Sequence, residues 1–110
     1  MVPWTEVVSM IKVWHRKVPS FSADLLDVRS AWHGNEYECV ATVTSLSSGW
    51  DSEEEWAFYR TNTIDTLWTD NQDVAPVRRE LRSTSVGDIV ETSDGRLMVV
   101  DHVGWLVLTV

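Results

Sequence analysis

A chain of 110 residues, 44% hydrophobic and 24% charged, has room for one domain over 1–110 and excludes a multidomain enzyme built round a deep cofactor cleft. Seven Trp, two Tyr and two Phe concentrate its apolar area in rings, so either the core or a binding surface is rich in aromatics. A formal charge of −8 repels phosphate backbones unless the cations are gathered, and the acidity is local: 51–75 carry seven anions and one cation. The lone cysteine, Cys39, excludes an internal disulfide and a multi-cysteine metal site and fits a reducing compartment. The start lacks a basic region followed by an apolar core, and the run Leu97–Val100 is far too short for a bilayer, so a cytoplasmic protein without membrane attachment is expected.

Val7, Val8, Met10, Ile11, Val13 and Trp14 predict a first strand at about 6–15, stopped before Pro19. The stretch 20–33 fits neither helical nor strand period, although Ser22 or Asp24 can cap a short turn. After the turn His33-Gly34-Asn35, a second strand at 36–45 alternates Tyr37, Cys39, Ala41 and Val43 on one apolar face. Asp51 as a cap, with Glu54 three residues on, starts a helix at about 52–63. In that helix Trp56, Tyr59 and Thr63 share a face, beside Ala57, Arg60 and Ile64. Residues 65–76 read as an acidic loop interrupted by Leu67 and Trp68. The C-terminal part, 86–110, reads as a β-meander whose first turn is Ser93-Asp94-Gly95 and whose second spans Asp101 to Gly104. The expected fold is therefore α+β: a strongly bent, mainly antiparallel sheet or small open barrel closed on one face by one principal helix.

No phosphate loop, zinc pair, calcium loop or nucleophile elbow is present, and no catalytic residue, metal ligand or cofactor is assigned. Three scattered histidines, His15, His33 and His102, read as turn or strand-end residues, and Cys39 as a core thiol. Asp101 beside His102 is the seed of a third reading, a small hydrolase. Two surfaces carry more weight. Trp50, Asp51, Glu54, Glu55, Trp68, Asp70 and Asp73 offer an acidic aromatic face to an unidentified, basic protein partner. Arg78, Arg79 and Arg82, reinforced by Lys12, Arg16 and Lys17, offer the alternative of direct nucleic-acid binding, which the overall charge opposes.

The run Arg82-Ser83-Thr84-Ser85-Val86-Gly87-Asp88-Ile89-Val90, with Asp94-Gly95-Arg96, Val99-Val100-Asp101 and Gly104-Trp105, resembles the ending of small YodL-like or KfrB-like domains of plasmids, phages and other mobile elements. Thr61-Asn62-Thr63-Ile64-Asp65 with Trp68 is similar to the segment before that ending in actinobacterial relatives, so the likeness covers about 61–105. Trp105 stands where that family often has phenylalanine. The resemblance implies an accessory protein of a mobile element and brings no catalytic or ligand residues with it.

Overall fold

β1 (Ser9–Arg16) is the spine of the molecule, because its alternation serves two cores at once. Ile11 and Val13 pack on one side, while Trp14 packs on the other. The computed structural model describes residues 9–45, 52–62, 67–71, 73–78 and 81–109, except the side chains of Ser9, Ser45 and Asp70; the expected first-strand residues 6–8 fall outside this range. β2 (Tyr37–Ser45) runs antiparallel to β1, and the register shifts at Val13/Trp14, where Val13 faces Ala41 and Trp14 faces Cys39. That bulge spends the extra residue Val40 and reassigns faces along the strand. Tyr37 consequently joins the core beside Trp14, and Val40, Ala41 and Val43 join the one beside Val13, so the single apolar face expected for β2 is divided between two.

The remaining strands are β3 (Val74–Pro76), β4 (Ile89–Glu91), β5 (Leu97–Val100) and β6 (Trp105–Leu108). They complete a six-stranded antiparallel sheet in the order β3-β2-β1-β4-β5-β6. The sheet ends in separate edges, β3 and β6, so the expected barrel or strongly bent sheet is replaced by an open one. β3 forms inside the segment expected to be an acidic loop; it is an edge strand, the position that tolerates Pro76.

There are two α-helices among the described residues, not one. α1 (Leu25–His33) begins where the Asp24 carboxylate accepts from the Leu26 N–H at 3.0 Å, and ends with the Gly34 N–H donating to the Ser30 carbonyl at 2.9 Å. It packs through Val28 and Ala31 against Ile89, Val99 and Leu108. α2 (Glu53–Thr61) covers the opposite face through Ala57, against Ile11, Val43 and Val90. Its cap is Ser52, whose hydroxyl accepts from the Glu55 N–H at 3.2 Å, whereas Asp51 is outside the described residues. The buried stripe of α2 is Glu54, Ala57 and Thr61; of the expected Trp56, Tyr59 and Thr63 face, Trp56 packs half-buried against the core, Tyr59 is exposed and Thr63 lies outside the described residues.

Two glycines carry the backbone through left-handed turns with different consequences. Both Gly87 and Gly95 have φ +91°, but a Cβ on Gly87 would lie 2.6 Å from the Ser22 carbonyl oxygen, and one on Gly95 would meet nothing. Gly95→Ala should therefore cost about 1–2 kcal/mol, the left-handed penalty alone. Gly87→Ala should cost more than about 3 kcal/mol, because the clash is with backbone that cannot swing away. Paired urea denaturation curves check this ordering; equal costs would contradict it.

Candidate functional site

Among the described residues, the members expected to form one acidic aromatic surface are separated by the fold. Trp50, Asp51 and the side chain of Asp70 lie outside the described residues. Trp68 is only 2% exposed, donates its indole N–H to the Arg82 carbonyl at 3.0 Å and meets His15 edge-on at 6.1 Å, so it is a core residue and no exposed anchor. Glu54 is 7% exposed on the sheet-facing side of α2, which corrects its expected place on the binding face; Glu55, about 100° further round the helix, is exposed. Asp73 accepts from Arg60 at 2.7 and 3.0 Å, and the same guanidinium lies 5.4 Å from the Trp56 ring and 5.9 Å from the Tyr59 ring.

A different acidic aromatic site forms where α2 meets the β5–β6 turn. Glu55, Phe58, Asp101, His102 and Trp105 line an open cleft of about 200 Å³. The Trp105 indole N–H donates to Glu55 Oε1 at 2.6 Å, and the Phe58 and Trp105 rings meet edge-to-face at 6.0 Å and 90°. Glu55 and Phe58 are three apart on one helix, which puts them on adjoining turns of one flank. Trp105 enters from the strand after the Asp101–Gly104 turn, closed by the Asp101 N–H to the Gly104 carbonyl at 3.1 Å. Of the described residues expected for the acidic face, Glu55 alone is part of this cleft; Phe58 and Trp105 are the additions that sequence spacing missed.

At the C-terminal end of β1, a buried polar knot underlies a cationic cleft. Asp88, 1% exposed, accepts from both terminal nitrogens of Arg82 at 2.6 and 2.8 Å, from the Arg16 N–H at 2.9 Å and from the Ser85 N–H at 2.8 Å. Beside it, Thr61 Oγ1 donates to the Ala57 carbonyl at 2.8 Å, so it must accept from the Thr84 hydroxyl 2.7 Å away. Thr84 has no further proton to give, so its 2.8 Å contact with His15 requires His15 Nε2 to be the donor. His15 thereby has one ring proton fixed on Nε2. Its pKa is lowered to about 4, chiefly by burial, which outweighs the attraction of Asp88. Above the knot, His15, Lys17, Glu38, Arg78, Leu81 and Arg82 are among the residues lining a cleft of about 240 Å³. The expected cluster thus contributes Arg78 and Arg82, and Arg79 is outside the described residues.

Asp101 Oδ1 accepts from the backbone N–H of His102 at 2.7 Å, a turn-stabilising contact. Ser85 is engaged with Arg82 and Asp88, and Ser93 with Glu53, so neither serine is partnered by His102. The half-buried Cys39 thiol contacts the Ala41 carbonyl at 3.8 Å, and burial raises its pKa. Among the described residues no group of three or more His, Cys, Asp or Glu side chains could hold a metal ion, and no helix is long and apolar enough to cross a membrane.

The buried histidine predicts a specific acid sensitivity. Its folded pKa of about 4 lies below the unfolded value of 6.5, so the unfolded chain binds the proton first. The stabilising effect is whole above 6.5 and is lost as pH falls toward 4, by about 2–3 kcal/mol at pH 4.5. Urea denaturation at pH 7 and pH 4.5 should show His15→Gln losing less stability on acidification than the parent by about that amount; equal losses would refute the neutral assignment. Comparison of the chain with known family models, curated proteins and solved structures found no match.

Proposed function

We propose that the protein is a binding module that accepts a cationic side chain of a basic protein partner in the cleft of Glu55, Phe58, Asp101 and Trp105. The observation that carries this reading is the joining of a carboxylate to an aromatic pair in one open recess, with the Glu55–Trp105 contact holding the indole in place. Carboxylates supply the countercharge, and ring faces attract a guanidinium or ammonium through their quadrupoles. The molecule uses the same chemistry internally, where Asp73, Trp56 and Tyr59 surround the Arg60 guanidinium. A net charge of −8 favours encounter with a positive partner. The resemblance of the 82–105 segment to domains of plasmids and phages supports an accessory role in a mobile element, one exerted through a partner and without chemistry of its own.

The nucleic-acid alternative has less behind it. Arg82 is committed to Asp88, and Arg78 is bonded to Glu38 at 2.7 and 3.1 Å, so these arginines converge on one recess and lay no track for a strand.

A short arginine-rich peptide titrated against the protein by isothermal calorimetry, with the Trp105 indole N–H resonance followed in the parent and in Glu55→Gln, tests the proposal. Glu55→Gln keeps an oxygen for the indole contact but removes the charge, and should weaken binding about tenfold; Trp105→Ala should weaken it at least as much. Binding that ignores both substitutions, or a neutral peptide that binds equally well, would overturn the proposal.

A further inference from the structure

We propose that the cleft above Asp88 is a second binding site, for a single phosphate-type dianion, either free phosphate or a phosphomonoester. Arg16, Lys17, Arg78 and Arg82 all border it against one lining carboxylate, Glu38, in a chain that is otherwise strongly acidic. The positive charges arrive from three separate segments: the end of β1, residue 78 after β3, and the stretch leading into β4. Their pairing divides them by role. Arg82 is held rigid by the buried Asp88, so its guanidinium is pre-oriented and does not have to be ordered on binding, whereas the Arg16 guanidinium is taken up by Asp27 at 2.7 Å and Glu36 at 3.7 Å. Lys17 makes no ion pair among the described residues. Arg78 is paired with Glu38 in the open, their side chains 54% and 37% exposed, so solvent weakens that pair and an entering anion can take the guanidinium from Glu38.

The ligand class follows from these roles. A dianion matches Lys17 together with a released Arg78, and three tetrahedral oxygens can use the ammonium and the guanidinium fork at once. His15 lines this cleft with its Nε2 proton already given to Thr84, so it is not needed as a donor to the anion. Leu81 and Val40 give the recess an apolar side against which the organic part of an ester can rest. A volume of about 240 Å³ suits one phosphoryl group with a small substituent and not a strand. The site does not involve the Glu55–Trp105 cleft, so it stands or falls independently of the proposed partner site.

The test is titration of the full chain with inorganic phosphate, with adenosine monophosphate and with a short single-stranded oligonucleotide, followed by amide and side-chain NMR shifts. Phosphate and the monophosphate should move the Lys17 and Arg82 signals saturably. Lys17→Ala and Arg78→Ala should each weaken binding about tenfold, and Glu38→Gln should tighten it several-fold by releasing Arg78. All three positions are exposed or half-exposed, and an unchanged far-UV spectrum with an unchanged melting temperature verifies that the variants fold. The proposal is overturned if neither small anion shifts those signals, if binding survives both cation substitutions, or if only the oligonucleotide binds, which would make the cleft part of a nucleic-acid surface.

Discussion

One buried carboxylate organises the architecture. Asp88 sits 1% exposed just before β4, and an isolated charge there would be prohibitively costly. It is tolerated because five donors converge on it: two from Arg82, one from the backbone of Arg16 at the end of β1, and the backbone N–H and hydroxyl of Ser85. Arg82 also donates to the Arg16 carbonyl at 3.0 Å, which closes the ring of contacts. β1 and β4 are far apart in sequence and pair over only three residues, Lys12–Trp14 with Ile89–Glu91. The carboxylate extends that short pairing by one more anchored point, and so fixes where the C-terminal meander attaches to the rest of the sheet.

The same segment accounts for the residues on either side of it. Gly87 must be glycine because its backbone turns left-handed against Ser22, and its carbonyl accepts from the Tyr37 hydroxyl at 2.6 Å. Thr84 is enclosed because it links His15 to Thr61 and hence to the last turn of α2. The run Thr84–Asp88 thus ties β1, β2, α2 and the approach to α1 together. Its composition reflects turn geometry and buried hydrogen bonding, which is why the motif reads from sequence as a generic strand start while in space it is the junction of the fold.

Much of the second half was legible because its signals are local. Asp94-Gly95 lies in the turn between β4 and β5, and the Asp101–Gly104 turn joins β5 to β6, as φ at both glycines requires. α1 was not legible: Leu25 and Leu26, which dominate the apolar count of its segment, point outward, and only Val28 and Ala31 are buried. The amphipathic period is carried by two modest side chains and masked by two large exposed ones. β2 misled for another reason. Its period of two is real, but the bulge opposite Val13/Trp14 changes which core each residue serves, and no local pattern announces a one-residue insertion that is defined by the partner strand.

Charge was the least transferable reading, and the reason is geometric. Sequence clustering on a helix scatters side chains through 100° per residue, so Glu54 enters the interior while Glu55 stays outside. Among the described residues, the loop acid Asp73 is paired with Arg60, and of the arginine cluster Arg82 is turned inward to Asp88 and Arg78 outward to Glu38. Among the described residues, the two recesses keep what this internal pairing leaves: Glu55 and Asp101 beside two rings in one, and Lys17 with a weakly held Arg78 in the other. The acidic excess of the chain is therefore no guide to either recess by itself. Each recess takes its character from a few groups that folding leaves incompletely neutralised, which is why the two differ in sign on one small acidic molecule.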